Sequence, residues 1–459
     1  MSVFELEQNA SNVRRLAADI LTKVDTHKAY ADVLLDGTLR STDLSRRDAA
    51  LLTELTYGTL RWRGRIDAKL NPLMRRGLES TQPFIRNLLR MTLYQLDFLD
   101  RIPDYAAVNA AVDLAKVHGR ERAAGFVNAV LRRYLKETQK NPPAMPDCER
   151  VTIPEISQYW SHPQWLVQRW REYLGAAEAT ALLQANNQEA PLVIRTNSLR
   201  TSRDELLEVL RLAGVTAAPT RWSAQGITLG PGFAVDQLPG FQEGLFQVQG
   251  EASQLIGHLL TPRPGERILD ACAAPGGKAT HLAELTQDEA AILATDISQR
   301  GLKRLEDNAE RLGLRSIRSL VADASAADAP AGGFYDRILV DAPCSGLGTL
   351  RSHPEIKWQR NPADIARLTR LQEAILAASA AQLKPGGVLV YSTCTLMADE
   401  NEHTVQKFLQ TCGKFILEDA ADFLPAEAKS MARNGYFMAW PHRHNTDGFF
   451  AARLKKAEA

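Results

Sequence analysis

Three observations in the 459-residue sequence predict a multidomain chain that ends in an α/β, Rossmann-like fold. The length exceeds what one domain of roughly 100–200 residues accommodates. Apolar residues recur at three- and four-residue spacing from residue 11 to about 139, which predicts an all-α domain over 1–140. From about residue 251 to 459, short buried strands alternate with amphipathic helices, the pattern of a parallel sheet covered on both faces. Between them lie a proline-rich linker, 141–163, and a small α+β module, 164–250.

In the N-terminal region, Ser11-Asn12 predicts a cap for a helix whose apolar positions are Val13, Leu16, Ile20, Leu21 and Val24. Further helices are predicted around Leu51–Leu60, after Pro83, after Pro103 and over Phe126–Tyr134, six or seven short ones in all. The linker contains Pro142, Pro143, Pro146, Pro154 and Pro163, with order expected near Tyr159 and Trp160. The module combines one or two helices with strands such as PLVIRTN and GITLG. In the last region the strands are RILDA, AAILATD, a third ending at Asp323, YDRILVDAP and GGVLVYSTC.

Composition excludes several classes. With 45% hydrophobic and 24% charged residues the chain is not collagen-like, disordered or a disulfide scaffold. No apolar run reaches the ~18 residues of a membrane span. Acids precede any apolar run at the N-terminus, the wrong order for a secretory signal, so a cytoplasmic location is expected. Cys148, Cys272, Cys344, Cys394 and Cys412 lack CxxC spacing, which fits reduced thiols and no structural zinc. The net charge is +1, yet residues 1–140 hold 23 basic and 17 acidic residues, leaving 32 against 37 for the remainder. The excess concentrates in Arg61, Arg63, Arg65, Lys69, Arg75 and Arg76, opposed only by Asp67.

In an open α/β sheet the ligand sits beyond the carboxyl ends of the strands, so chemistry is sought in those loops. The first, Asp270 to Lys278, has paired glycines but neither the GxGxxG nor the GxxxxGK[ST] frame. Asp296 ends the second strand, where a carboxylate can accept both hydroxyls of a ribose, and Asp323 at the third is placed for an exocyclic amine. One aspartate alone is a common turn residue. Three in succession after a glycine turn describe a nucleoside pocket without a phosphate cradle, which S-adenosylmethionine fits. The fourth loop, Asp341-Ala-Pro-Cys344, and the fifth, Ser-Thr-Cys394, bring two cysteines past neighbouring strands. A lone buried cysteine is usually a small hydrophobe, whereas a thiolate near positive charge is a nucleophile, with Lys278 and the sulfonium of a bound cofactor the candidate cations.

DACAAPGGK, DAPCSGLG with the downstream HPEIKW, YSTCTL and DGFF closely resemble the RNA cytosine-C5 methyltransferases of the NOP2/Sun group. DAALLTELTYGTLRWR, LRMTLYQLDFLDRIP and GFVNAVLRRY resemble the NusB-like helical domain of that group's bacterial 16S ribosomal RNA branch. The resemblance spans nearly the whole chain. It implies that Cys394 is the nucleophile toward cytosine C6, that Asp341 holds the cytosine edge and approaches the cofactor, and that Cys344 assists release. Lys278 is placed with them as a catalytic residue. Cys272, Ala273, Ala274, Pro275, Gly276, Gly277 and Lys278 would hold the methionine end of S-adenosylmethionine, with Asp296 on the ribose and Asp323 on the adenine. The implied target is cytosine 967 of 16S ribosomal RNA. A tRNA or 23S cytosine, and a non-catalytic RNA-binding assembly factor, are the alternatives.

Two positions depart from the group's pattern, Ala279 where threonine is usual and Gly250 where an acid is frequent. For RNA contact the sequence points to Arg61, Arg63 and Arg65, and to Arg195 and Asn197 in PLVIRTN. His442 and His444 form an HxH pair with no third ligand nearby, so no metal is expected. Ribosomal RNA is the expected partner of a monomer with no membrane and no obligate protein partner.

Overall fold

The N-terminal periodicity builds five long helices: α1 Val3–His27, α2 Ala31–Ser41, α3 Arg46–Leu70, α4 Pro83–Phe98 and α5 Asp104–Glu137. The computed structural model describes residues 3–137, 147, 149–230, 234–326 and 334–458, and all of their side chains except those of 3–11, 119 and 120. The expected six or seven short helices are thus fewer and longer. Ser11-Asn12 lies inside α1 rather than at its start, because VFELEQNA before it is rich in good helix formers. The two segments expected after Pro103 merge into α5, with Gly119 and Gly125 absorbed at about 1 kcal/mol each. Leu21, Leu52, Leu55, Leu88, Leu89, Leu93 and Leu131 are fully buried in their shared core, each worth about 1.5–3 kcal/mol.

Of the expected linker, residues 141–146 and Cys148 lie outside the described residues. Its second half is ordered. Thr152 and Glu155 close a capping box on α6 Ile153–Tyr159, followed by α7 Gln164–Leu174 and α8 Ala176–Asn186. All of this belongs to one compact unit, residues 1–188 with 350–359, while the second unit holds 189–349 and 360–459.

In the second unit, β1 Leu192–Thr196, α9 Arg203–Leu212, β2 Ala217–Pro219, β3 Gly226–Leu229 and β4 Phe246–Val248 make a small module whose antiparallel sheet runs β2-β3-β1-β4. Ile194, Leu206, Leu210, Ile227 and Phe246 form its core. α10 Glu251–Leu260 leads to the large sheet, whose first part is β5 Arg267–Asp270, α11 Gly277–Leu285, β6 Ala291–Asp296, α12 Gln299–Leu312, β7 Ile317–Val321 and β8 Tyr335–Asp341. The chain then passes through α13 Ile356–Gln359, which lies in the first unit, before α14 Pro362–Ala381 and β9 Leu383–Thr393. It ends with α15 Glu402–Thr411, β10 Phe415–Glu418, β11 Ala432–Arg433, β12 Tyr436–Ala439, α16 Pro441–His444 and β13 Phe449–Lys456.

The strand order is β11-β12-β13-β9-β8-β5-β6-β7, with β10 also on β13. The five strands from β7 to β9 are parallel, as the alternation predicted. The strands after β9, which the sequence pattern does not place, are antiparallel. The link from β11 to β12 is only Asn434-Gly435, both at positive φ, a hairpin turn too short for a parallel crossover. The order reverses at β5, which pairs with β6 on one side and β8 on the other. Such a reversal opens a crevice at the carboxyl ends of the strands.

Candidate active site

Strand register sets the site. Asp341 at the end of β8 is paired across from Ser392 on β9, whose hydroxyl donates to Asp341 Oδ1 at 2.8 Å. Lys278, one residue into α11, donates to Asp341 Oδ2 at 2.6 Å and lies 5.0 Å from the Phe449 ring. Cys344 and Cys394, from the loops after β8 and β9, meet at 3.3 Å between sulfurs, and both are free thiols. The hydrogen bond from Cys344 is the largest influence pulling the Cys394 thiol down. Burial, Asp341 and Asp447 push the other way, and Lys278 assists. The same contact, then burial, the charge of Cys394 and Glu400 drive Cys344 up. The contact thus favours the thiolate on Cys394 over that on Cys344. The partner thiol, rather than the lysine, is the larger influence on Cys394, which the sequence did not reveal.

The Cys344 loop fits against Cys394 because two glycines allow close approach. Gly348 N donates to Cys394 O at 2.9 Å and Gly448 N to Gly348 O at 2.8 Å, and a Cβ on Gly348 would sit 2.2 Å from that Gly448 carbonyl oxygen. Gly448 belongs to DGFF, so that motif buttresses the Cys344 loop from the start of β13.

The loop from Cys272 to Lys278 leaves β5 and enters α11. Gly276 has φ +103°, and a Cβ there would lie 2.7 Å from Leu305, so glycine is required on two counts. Asp296 Oδ2 accepts from Ala274 N at 3.1 Å and Oδ1 from Ser298 N at 2.8 Å, which ties this loop to the tip of β6. Asp323 lies two residues past β7, exposed, and is held below the usual carboxylate range by hydrogen bonds from the Ser325 hydroxyl and amide. Ala279 packs among Ala273, Ala294, Leu302 and Leu305. Cys272 stays protonated because burial and then Asp270, Asp341, Asp296 and Asp323 push its thiol up.

Asp270 itself is fully buried, and neither carboxylate oxygen has a hydrogen-bonded partner of good geometry. Burial first, then the charge of Asp341, push it up to about 7. A buried, unsatisfied acid beside three further acids, with no basic cradle in the loop except the paired Lys278, fits a cationic ligand without phosphate. That is the charge pattern of S-adenosylmethionine.

Several predicted RNA contacts are sealed inside. Arg195 is fully buried: Nε and Nη2 grip both oxygens of Glu284 at 3.0 and 2.6 Å, Nη1 donates to Gly277 O at 2.8 Å and to Gln249 Oε1, and Nη2 reaches Thr280. It fastens β1 to α11, the helix that follows the Cys272–Lys278 loop, and is unavailable to RNA. Asn197 is likewise buried, donating to Gly244 O and Leu312 O at 2.9 and 3.0 Å. Arg61, in the first unit, is buried with Nη2 on Arg351 O at 3.1 Å. In that unit Lys357 and Trp358 of HPEIKW donate to Arg61 O and Leu60 O, so this motif is a structural strap over α3. Arg63 pairs with Asp25 and Asp67, and Arg65 lies over Trp62, Phe98 and Tyr159 at 5.1–5.8 Å. Only Arg75 and Arg76 of the basic stretch are exposed.

The sequence also gave no hint of Glu400, which is buried between the two cysteine loops. It accepts from Ser345 N at 2.8 Å, Ser345 Oγ at 2.5 Å and Gln372 Nε2 at 3.0 Å. His444 accepts from Trp440 N at 2.9 Å. Burial first, then Arg443, His442 and Arg221 lower it to about 4. The described residues contain no group of three or more potential metal ligands, and no described helix is long and apolar enough to cross a membrane.

Fold and site together define a class of protein, the S-adenosylmethionine-dependent methyltransferases built on a doubly wound sheet. Family models match three stretches: 16S rRNA methyltransferase RsmB/F over 257–455, the NusB family over 11–136, and the RsmF/B-like ferredoxin-like domain over 162–236. The chain is 39% identical to a probable ribosomal RNA small subunit methyltransferase B from Synechocystis, over 97% of this chain and all of the relative. It is 35% identical to the Bacillus subtilis counterpart over 97% of this chain and 99% of that one. Among solved structures, PH0851 superposes with a TM-score of 0.84 at 28% identity, covering 97% of this chain and 99% of that one. NSun6 from Pyrococcus horikoshii, solved with SFG, superposes at 0.58 and 25% identity over 65% of this chain and 99% of its own. The chain belongs to the ribosomal RNA small subunit methyltransferase B family. It is an rRNA methyltransferase, and its cofactor is S-adenosylmethionine.

Proposed function

We propose that this enzyme methylates C5 of one cytosine in 16S ribosomal RNA, expected at position 967, through a covalent adduct with Cys394. The observation that carries the reading is the 3.3 Å contact between Cys344 and Cys394 beside the Lys278–Asp341 pair. A cytosine C5 is too weak a nucleophile on its own, so the ring needs covalent activation. The Cys394 thiolate adds to C6, and the electron pair of the 5,6 double bond moves to C5. Asp341 holds the N3/N4 edge of the ring and so stabilises the adduct. S-adenosylmethionine supplies the methyl group. Loss of the C5 proton then expels Cys394 and restores the double bond, with Cys344 assisting that release. Cys272 to Lys278 would hold the methionine end of the cofactor, Asp296 its ribose and Asp323 its adenine. The base must be unpaired or flipped out, at a few kcal/mol. A monomer acting on RNA in the cytoplasm is the expected setting.

Methyl incorporation into small-subunit RNA, read with bisulfite mapping, tests this. Cys394→Ala should lose all transfer while binding S-adenosylmethionine as before. Cys344→Ala should accumulate a covalent RNA–protein adduct. Normal methylation by the Cys394 variant would remove the mechanism, and methylation confined to tRNA or 23S RNA would replace the substrate.

A further inference from the structure

The two cysteine loops are not held together by their sulfurs alone. The carboxylate of Glu400, in the turn before α15, receives donors from both sides. From the Cys344 loop, Ser345 gives its amide to Oε1 at 2.8 Å and its hydroxyl to Oε2 at 2.5 Å. From the Cys394 loop, Thr395 Oγ1 lies 3.2 Å from Oε2 and 2.7 Å from Ser345 Oγ. Gln372 on α14 completes the ring, donating to Oε1 at 3.0 Å and to Pro343 O at 2.9 Å. The Glu400 backbone is fixed as well, since its carbonyl accepts from the Tyr391 hydroxyl at 2.7 Å. The adjacent Asn401 bridges Thr393 Oγ1 at 2.6 Å and Thr395 O at 3.0 Å. Ser345 and Thr395 each directly follow a cysteine in the chain, so the clasp sits one residue from both sulfurs.

We propose that Glu400 is a positioning residue for the reaction: it clasps the Cys344 loop to the Cys394 loop and so fixes the sulfur–sulfur contact that makes Cys394 the attacking thiol. A carboxylate suits the position because both donors to Oε1 are N–H groups, which cannot accept in return. Four donors on one buried acid make it a rigid joint, and an ångström of play at a reacting atom is enough to cost about 100-fold in rate. This role rests on Cys394 being the nucleophile.

The test uses the full chain with Glu400→Ala and Glu400→Gln. The pH dependence of Cys394 alkylation by iodoacetamide is followed by peptide mass mapping, together with kcat and KM on small-subunit RNA and S-adenosylmethionine affinity by calorimetry. Glu400→Ala should lower kcat about 100-fold, leave KM and cofactor affinity unchanged, and move the alkylation midpoint to higher pH. Glu400→Gln should recover most of both, because its carbonyl can accept from Ser345 N and Gln372 while its amide donates to the two hydroxyls. In a Cys344→Ala background the donor to Cys394 is already gone, so Glu400→Ala should add no further shift. Wild-type kcat and alkylation in Glu400→Ala would overturn the proposal, as would a shift that persists without Cys344, or cofactor affinity falling in step with kcat. If Glu400→Ala does not fold, Ser345→Ala, which removes one strand of the clasp, should shift alkylation the same way, and no shift there overturns the proposal. Alkylation reports on the thiol pair alone, so methylation surviving in Cys394→Ala would fell the nucleophile reading separately.

Discussion

α3 and the strand tips of the large sheet both concentrate charge, but they use it in opposite ways. In the first unit, Arg63 of α3 and Arg86 and Arg90 of α4 face inward and are neutralised where they stand. Asp25 takes Arg63, Arg86 and Arg90, and Asp67 takes Arg90 through two bonds at 2.7 and 2.8 Å. At the strand tips of the second unit, Asp270, Asp296, Asp323 and Asp341 converge with Lys278 as their one paired cation, and Asp270 is left without a partner. Balanced buried charge holds a fold together, whereas unbalanced charge at a crevice waits for a ligand.

The largest effect should come from breaking the balanced region. Arg90 is fully buried, and Asp67, Asp25 and Glu79 all lean on it. Arg90→Met takes from Asp67 its two short bonds and from Asp25 one of its three arginines, and should cost about 3–5 kcal/mol, read as a lower urea midpoint for the first unit. Unchanged stability would mean that the network is no more than surface ornament.

The unbalanced region should show itself through pH. Asp270 has a folded value of about 7 against the ordinary 3.8, raised by burial and then Asp341. With the folded value above the unfolded one, its contribution is fully present below about pH 4 and is lost as pH rises to 7, of order 4 kcal/mol in total. Thermal unfolding of the cofactor-free protein should therefore show this decline between pH 4 and 7, and Asp270→Asn should flatten it. An identical slope in the variant would show that the acid is not strained.

The same contrast explains what the sequence made legible. Strand tips are legible because register forces successive strand ends to one edge, so spacing alone places Asp270, Asp296, Asp341, Cys344 and Cys394 there, while their roles came from the family resemblance. Helix faces are not, because a residue on α3 faces water or core according to what packs on it, and α1, α4 and the 350–359 strap arrive from distant sequence. Arg195 and Asn197 were misread for a related reason: their partners Glu284 and Leu312 are 89 and 115 residues away. Glu400 was invisible because an acid in an ENE run reads as a solvated helix start until Ser345 and Gln372 are seen against it. The merging of helices into α5 follows from what is missing between residues 115 and 126, a proline or a cap.

The smallest effect tests what remains of the basic excess. Arg75 and Arg76 are the exposed members of the stretch, following α3 in the sequence, and neither belongs to the Asp25–Asp67 network. If the first unit touches the RNA backbone through this stretch, their joint replacement by alanine should lower RNA affinity modestly and reduce the slope of log affinity against log salt by about one per lost phosphate contact. Folding should be untouched, because exposed arginines outside a network contribute little to stability. The informative comparison is with Arg63→Ala, where the order reverses: stability falls with the loss of a partner for Asp25, and the salt slope stays as it was. An Arg63 variant that keeps its stability but loses salt dependence would show that α3 presents its charge outward to RNA, and the division between balanced and unbalanced charge would then fail in the first unit.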